Sequence, residues 1–277
     1  MIRYAEELEV ARQAARVAAD IILRHYAAGG IAVDTKHDQS PVTDADRDAN
    51  TAIVDLLRAA FPDDGILSEE LPDDLARLAK SRVWIVDPLD GTRDFVARTG
   101  DFCVHVGLCV DGEAVLGAVL QPVTGALYSA TAGSGAFVED ATGRRRLSVS
   151  TVRSLTDVRM GVSRLNASNR LGQCLRAAGL EARASVMGAS VKHMALARGD
   201  LDGEINLSPG EQEWDTCAPE VIVREAGGAF TDGSGHPFRY NQRELIHDAG
   251  SIASNGACQG ALVALIAPYL DPTRSAP

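Results

Sequence analysis

A short apolar run at residues 83–86, VWIV, is followed directly by Asp87 and Asp90, and this junction limits the folds that are open to the chain. The run has the length and composition of a buried strand, and the sequence predicts that this strand stops at Asp87. A carboxylate at the end of a buried strand has a raised pKa or destabilises the fold unless a partner or a cation neutralises its charge. The fold must therefore bring such a partner to this point.

Two further acidic groups lie at the edges of apolar segments, Glu69-Glu70 and Asp215. Several converging carboxylates require a cation, and hard oxygen ligands without nearby His or Cys suit Mg²⁺ or Ca²⁺ rather than zinc. A calcium loop of the EF-hand type that starts at Asp87 needs a bidentate Glu at its twelfth position, where this chain has Arg98. Taken singly, Glu69-Glu70 also fits a solvated surface. An isolated D-x-x-D-G also fits a turn.

The two residues that follow these aspartates, Gly91 and Thr92, are suited to binding an anion. Gly91 allows the backbone to approach a ligand closely. A helix that begins here would direct its free N–H groups and its positive dipole end at the ligand. A phosphate group held by metal ions fits such a position, with Thr92 placed to orient an attacking water.

Periodic patterns predict the elements of the first part of the chain. Helical spacing indicates an amphipathic helix over residues 4–28 and a second helix that begins with Thr43 and Asp46 as cap and ends at Phe61-Pro62. The segments FCVHVGLCV and EAVLGAVL flank Asp111-Gly112, a pair typical of a hairpin turn, and predict an antiparallel sheet.

From about residue 146, short strand-like and helix-like segments alternate, which is the pattern of a layered α/β unit. The predicted order is a strand at VRMGVS, a helix at 167–178, a strand near 184, a helix near 190–198, a strand at 202–207 and a helix at about 215–226. The sequence therefore predicts two halves, 1–145 and 146–277, with Arg144-Arg145-Arg146 in a solvated loop between them.

Charge and cysteine usage exclude several classes of function. The 277 residues carry a net charge of −11, which argues against nucleic acid as a partner. The N-terminus lacks the pattern of a signal peptide, and no segment has the length of a membrane span. The five cysteines are odd in number and widely spaced, which argues against a disulfide framework or a zinc site. The six histidines show no ligand spacing and are interpreted as structural or surface residues, and the Trp214 ring as core packing. A cytoplasmic protein is expected.

Three motifs in this order, LSEE, WIVDPLDGTRDF and EWDTCAPEVIVREAGG, resemble those of the inositol monophosphatase superfamily of lithium-sensitive phosphatases. The resemblance covers nearly the whole chain. It implies a five-layered αβαβα sandwich of mixed α+β and α/β character, whose site lies between an N-terminal α+β half and a C-terminal α/β half. It also implies magnesium dependence, inhibition by Li⁺, and a small phosphorylated metabolite as substrate, and it leaves a homodimer open.

The resemblance assigns metal ligands to the residues that match the family motifs. Glu69, Asp87 and the backbone carbonyl of Leu89 would hold one Mg²⁺, and Asp87, Asp90 and Asp215 would hold a second. Two such ions lower the pKa of the attacking water and stabilise the leaving oxygen.

Three further residues are implied around the nucleophile. Asp46, in PVTDAD, matches an aspartate that binds a third, weak metal or positions water, and Glu70 and Thr92 complete the hydrogen bonding. The resemblance also places Gly91 and Thr92 against the substrate.

A second set of residues narrows the choice of substrate. Inositol phosphatases carry a Glu seven residues before the third-motif Asp, and this chain has Ser208 there. The segment containing Lys192 resembles instead the pattern of the CysQ-type 3′(2′),5′-bisphosphate nucleotidases, and Ser163-Arg164 resembles their S-R segment, although Asn166 stands where those enzymes often have a His. Lys192 would bind a second phosphate, and Ser163 and Arg164 would also contact the substrate. Alternatively, Lys192 is a solvent-facing helix residue.

The resemblance therefore implies a 3′(2′),5′-bisphosphate nucleotidase that converts adenosine 3′,5′-bisphosphate to AMP and phosphate. An inositol-1-phosphate or histidinol-phosphate phosphatase of the same superfamily is the first alternative. A non-catalytic metal or nucleotide sensor that keeps the fold is the second.

Overall fold

The structure is a computed structural model that describes residues 3–29, 33–35, 41–164, 169–188 and 190–270. Its α-helices are α1 (Ala5–Ala28), α2 (Asp44–Ala60), α3 (Thr92–Val96), α4 (Asn169–Ala177), α5 (Val191–Ala197), α6 (Glu213–Glu225) and α7 (Gln259–Ile266). Its strands are β1 (Val33–Thr35), β2 (Pro41–Thr43), β3 (Gly65–Ser68), β4 (Arg82–Asp90), β5 (Cys103–Val110), β6 (Glu113–Gln121), β7 (Ala126–Thr131), β8 (Ala136–Asp140), β9 (Gly143–Arg146), β10 (Met160–Ser163), β11 (Ala184–Met187), β12 (Gly203–Asn206), β13 (Ala229–Asp232) and β14 (Ser251–Ser254).

The two predicted N-terminal helices are present. The buried face of α1 is made mostly of alanines, which lets α2 pack closely against it. Helix α2 starts with a capping box between Thr43 and Asp46 and ends one residue before Phe61-Pro62. Both boundaries agree with the sequence prediction.

Strands β3 to β9 form one seven-stranded sheet in chain order. Every neighbouring pair is antiparallel except β3 and β4, which are parallel. The predicted hairpin is confirmed: β5 and β6 are joined at Asp111 and Gly112, whose φ angles are 52° and 80°. Two consecutive positive φ angles match the twist of a two-residue hairpin turn.

Two sequence predictions in this sheet are wrong. Strand β4 does not stop at Asp87 but continues to Asp90, because its backbone pairs with β5 beyond an irregularity between these two residues. The run Arg144-Arg145-Arg146 is not a loop. It belongs to the exposed edge strand β9, where Arg145 pairs with Asp140 at 2.5 Å and Arg144 lies opposite Glu139.

The second sheet has five strands in the order β11-β10-β12-β14-β13. Strand β10 is parallel to β11 and β12, and β14 is antiparallel to β12 and β13. The alternation predicted after residue 146 is confirmed from β10 to α6, with element ends shifted by a few residues. Strands β13 and β14 and helix α7 were not anticipated.

Three hydrophobic clusters show how the layers stack. The first joins α1 and α2 to one face of the large sheet, and it includes Trp84 and Leu116. The second fills the space between the two sheets around α5 and α6. The third packs α4 and α7 on the outer face of the small sheet. The predicted five-layered αβαβα sandwich is therefore confirmed. The division into halves at 145/146 stays a prediction, although the large sheet ends at Arg146 and the small one begins at Met160.

Helix α6 lies directly against the large sheet because two glycines leave room for it. A Cβ atom on Gly117 would be 2.2 Å from the carbonyl oxygen of Ala218, and one on Gly107 would be 2.7 Å from Cys217 Sγ.

All five cysteines of the chain are buried free thiols. Among the residues described, no helix is long and apolar enough to cross a membrane.

We expect Gly117→Ala to lower the free energy of unfolding by about 3 kcal/mol or to prevent folding, because the added methyl group meets backbone that cannot move aside. Gly260→Ala is the matched control, since a Cβ there has open space in helix α7. It should change stability by less than about 1 kcal/mol. Denaturant unfolding of both variants measures the difference. Equal stabilities would contradict this account of how α6 is seated.

Candidate active site

A bulge in β4 brings two aspartates to one side of the strand. Asp87 pairs with His105 and Asp90 with Cys103, so three residue steps on β4 correspond to two on β5. Side chains three apart on a regular strand point to opposite faces, and one extra residue cancels that alternation. Asp87 is 1% exposed, and its Oδ1 accepts a hydrogen bond from the Leu89 N–H at 2.9 Å.

The third aspartate comes from helix α6. Asp215 is held in a capping box, in which its Oδ2 accepts the Gln212 N–H at 2.7 Å. Carboxylate oxygens of Asp87, Asp90 and Asp215 lie within 4.8 Å of one another. The structure thus brings together residues from two distant motifs, as the sequence analysis predicted.

Like charges at this point disfavour ionisation. Burial, followed by the charges of Glu69 and Asp90, raises the pKa of Asp87 well above its ordinary value. Burial and the charge of Asp90 do the same to Asp215. Buried carboxylates in contact are stable as anions only beside positive charge. A donor set made of carboxylate oxygens fits a hard divalent cation such as Mg²⁺, and Glu69 adds a fourth carboxylate beside Asp87.

Asp46 and the half-buried Thr92 form a second hydrogen-bonded unit. Asp46 is fully buried at the start of α2, where its Oδ2 accepts the N–H and hydroxyl of Thr43 at 2.8 and 2.6 Å. Its Oδ1 accepts the Thr92 hydroxyl at 3.0 Å. A hydroxyl that donates to a carboxylate keeps its oxygen available to accept a hydrogen bond from water. Thr92 is the first residue of α3, after Gly91 with φ 90°, so the predicted helix start is confirmed.

These residues border a cleft of about 460 Å³. The residues that line it are Glu69, Asp87, Leu89, Asp90, Gly91, Thr92, Arg93, Asp94, Ser163, Ser190, Lys192, His193, Asn206, Ser208, Pro209, Gly210, Glu211, Gln212, Trp214, Asp215 and Ile246. All the predicted metal ligands are in this lining. Among the predicted site residues that the structure describes, Asp46, Glu70 and Arg164 lie outside it. Glu70 is in the turn after β3, next to Glu69.

Lys192 faces the cleft from helix α5. Its side chain is 10% exposed, and its Nζ lies 3.6 Å from the Oε1 of the buried Glu204. Burial alone favours the neutral amine, but the negative charges of Glu204 and Asp90 outweigh it and raise the pKa of Lys192 above its ordinary value. The alternative of a solvent-facing Lys192 is therefore wrong. A buried ammonium group stands in the same cleft as the carboxylates.

Several residues in or beside the cleft were missed by the sequence analysis. His193 is 3% exposed, and its Nε2 lies 3.4 Å from Glu204 Oε2. His105 is buried beside Asp90, at 3.4 Å between Nε2 and Oδ2, and burial lowers its pKa. Glu211 and Ile246 also line the cleft. The contacts of His193 and His105 join different elements of the fold, so no periodicity within one element could reveal them.

Arg164 is placed beside the cleft rather than in its lining. Its guanidinium pairs with Asp94 at 2.5 Å and with Asp101 at 2.7 Å. Asn166 lies outside the part of the chain that the structure describes.

Comparison with known proteins agrees with this geometry. The model of the inositol monophosphatase family matches residues 3–270. A 3′(2′),5′-bisphosphate nucleotidase CysQ of Escherichia coli is 37% identical over 86% of this chain and 95% of its own. A histidinol-phosphatase of Mycobacterium tuberculosis is 33% identical over 91% of this chain and 94% of its own. The crystal structure of CysQ from Bacteroides thetaiotaomicron superposes with a TM-score of 0.77 at 29% identity, over 92% of this chain and 98% of that one. The chain belongs to the inositol monophosphatase family.

Proposed function

We propose that this protein is a magnesium-dependent phosphatase that hydrolyses adenosine 3′,5′-bisphosphate to AMP and phosphate. The observation that carries the choice of a bisphosphate is Lys192, a buried cation in the same cleft as the carboxylate cluster. A substrate with two phosphates needs positive charge at two places, and the metal site supplies only one of them. Similarity to CysQ over most of the chain supports the same substrate class.

The carboxylate cluster would hold the metal. Asp87, Asp90 and Asp215 have the nearest oxygens, and Glu69 and the Leu89 carbonyl would complete the coordination of two ions. Bound Mg²⁺ would lower the pKa of a coordinated water and neutralise charge on the phosphate. A third, weaker ion near Asp46, and Li⁺ inhibition, belong to the same proposal.

The residues of the chain then position the reactants. The Thr92 hydroxyl donates a hydrogen bond to Asp46, so its oxygen would accept a hydrogen bond from the attacking water and orient that water toward the phosphorus. Glu70 would complete this hydrogen bonding. The backbone at Gly91 and Thr92 receives the phosphate oxygens. The reaction needs no covalent enzyme intermediate, because water attacks phosphorus directly.

The far part of the cleft suits a nucleoside. Trp214, Pro209 and Ile246 give it an apolar wall, and the Ile246 side chain is 48% exposed at the mouth. Binding of a purine ring against this wall would be favourable, because it removes apolar surface from water. Ser163 and Lys192 would contact the second phosphate, with Arg164 nearby. We place this activity in the cytoplasm, as the sequence analysis expects.

Glu211 favours histidinol phosphate as a second candidate substrate. This side chain is 9% exposed in the cleft, and its Oε2 has no hydrogen-bond partner within the described part of the chain. A buried carboxylate oxygen that lacks a donor is suited to bind the ammonium group of an amino alcohol phosphate. The histidinol-phosphatase relative supports the same alternative.

Magnesium should stabilise the fold through the carboxylate cluster. At a concentration one hundred times the dissociation constant, we expect a gain of about 2.7 kcal/mol in the free energy of unfolding, reversed by EDTA. Asp90→Asn should lose most of this gain while being at least as stable as the wild type without metal, because it removes repulsion. Asp63→Asn, on the exposed surface, is the control. Thermal unfolding with and without magnesium measures the effect. An undiminished gain in Asp90→Asn would contradict the metal assignment.

The Thr92 hydroxyl is expected to act on the chemical step. Thr92→Ala should lower kcat by about 10²-fold or more, because the attacking water loses its acceptor. Thr92→Ser keeps the hydroxyl and should retain activity within about tenfold of the wild type. Steady-state phosphate release gives kcat and KM for each variant. Equal losses in the two variants would show that the hydroxyl is not the group that matters.

The substrate is tested with four phosphate esters, one variant of the cleft and one control variant. Wild-type enzyme with magnesium should prefer adenosine 3′,5′-bisphosphate over inositol 1-phosphate and histidinol phosphate by about tenfold or more in kcat/KM, equivalent to about 1.4 kcal/mol. Lys192→Gln should raise KM for the bisphosphate by about tenfold and leave KM for 3′-AMP, which lacks the second phosphate, nearly unchanged. Lys80→Gln, an exposed lysine, is the control.

Preference for either of the other esters would overturn the nucleotide assignment and leave the metal site standing. Equal losses on 3′-AMP and the bisphosphate in Lys192→Gln would remove the second-phosphate role. Release of phosphate from none of them, with nucleotide-dependent stabilisation, would favour the non-catalytic sensor.

A further inference from the structure

Arg164 links the end of strand β10 in the small sheet to helix α3, which follows strand β4 of the large sheet. The residue comes directly after β10 of the small sheet. Its Nη1 lies 2.5 Å from Asp94 Oδ1 and its Nη2 lies 2.7 Å from Asp101 Oδ2. Asp94 belongs to the short helix α3 and is 3% exposed. The two terminal nitrogens of one guanidinium thus bridge two carboxylates.

One of these carboxylates, Asp101, also binds the backbone between β11 and α5. The Gly188 N–H donates to Asp101 Oδ2 at 3.0 Å, and the Arg164 N–H donates to the Met187 carbonyl at 2.9 Å. The Ser190 N–H, at the start of α5, donates to Asp90 Oδ2 at 2.7 Å. Carboxylates of the N-terminal half therefore bind the backbone on both sides of this connection.

The packing around Gly188 leaves little freedom. A Cβ atom there would be 2.5 Å from Asp94 Oδ2 and 2.6 Å from Asp101 Cβ. The backbone consequently lies directly on the two aspartates, whose proximity requires a positive partner. The planar fork of Arg164 meets this need at both carboxylates together, which a lysine ammonium at one point cannot do.

Helix α5 begins at the end of this connection, and its second and third residues are Lys192 and His193. Both side chains line the cleft, and both face the buried Glu204. An α5 that is displaced at its start would move the cationic group away from the place where a second phosphate is expected. The position of Lys192 thus depends on how well its preceding connection is anchored.

We propose that Arg164 is a positioning residue, which anchors the connection before α5 on Asp94 and Asp101 and so places Lys192 in the cleft. The proposal rests on the proposed function for the choice of substrate. It differs from the role implied by family resemblance, in which Arg164 contacts the substrate, because both terminal nitrogens are already engaged with carboxylates.

Kinetics of three single variants and one double variant separate the two roles. Arg164→Ala should raise KM for adenosine 3′,5′-bisphosphate by about fivefold or more with a smaller change in kcat. Asp101→Asn should raise it in the same direction, because it weakens the same anchor, and the double variant should be no worse than the poorer single one. Arg164→Lys should not restore wild-type KM, because it cannot bridge. Arg176→Ala, in an exposed ion pair, is the control.

A direct contact with phosphate gives opposite results. Asp101→Asn would then release Arg164 and leave KM unchanged or lowered, and Arg164→Lys would recover much of the affinity. Either result overturns the proposal. If Arg164→Ala fails to fold, Asp101→Asn carries the test.

Hydrogen exchange separates this proposal from the proposed function. Backbone amides over residues 187–197 should exchange faster in Arg164→Ala and Asp101→Asn than in the wild type, with α1 and α2 unchanged. This measurement needs no substrate. A wild type that does not hydrolyse the bisphosphate overturns the proposed function, whereas unchanged exchange in both variants overturns the anchoring role of Arg164.

Discussion

Repulsion among Asp87, Asp90 and Asp215 is the interaction on which the arrangement of this protein depends. Their carboxylate oxygens lie within 4.8 Å of one another, although Asp87 and Asp90 belong to strand β4 and Asp215 belongs to helix α6. Folding brings them together at a cost, since burial and like charge raise the pKa of Asp87 and of Asp215. In the proposed function, a bound divalent cation would relieve this repulsion, so the stability that folding gives up at this point would strengthen metal binding.

Capping boxes at two helix starts orient the carboxylates of Asp46 and Asp215. Asp46 and Asp215 are each the third residue of a helix, and each accepts the N–H of its own cap residue. A capping box orients a side chain with one oxygen and leaves the other available. In Asp46 the second oxygen holds Thr92. The close seating of α6 against Gly107 and Gly117 then carries Asp215 to the end of β4.

Local patterns predicted much of this architecture. Short stretches of sequence were enough to predict the helix cap at Thr43, the hairpin at Asp111-Gly112 and the convergence of carboxylates. The structure has all three features. The continuation of β4 past Asp87 was missed, because a bulge is stabilised by the neighbouring strand rather than by its own residues. The partners of Arg164, His193 and Lys192 were missed for a similar reason. Each contact joins two different elements of the fold, and no periodicity within one element encodes it.

The metal site can be located directly by anomalous diffraction from crystals of the protein soaked with Mn²⁺ as a substitute for Mg²⁺. The account predicts one peak among the carboxylates of Asp87, Asp90 and Asp215, and a second beside Glu69 and Asp87, about 3.5–4 Å from the first. Peaks that are absent from Asp87, or that lie elsewhere on the surface at saturating Mn²⁺, would contradict the assignment of this cluster as the catalytic metal site.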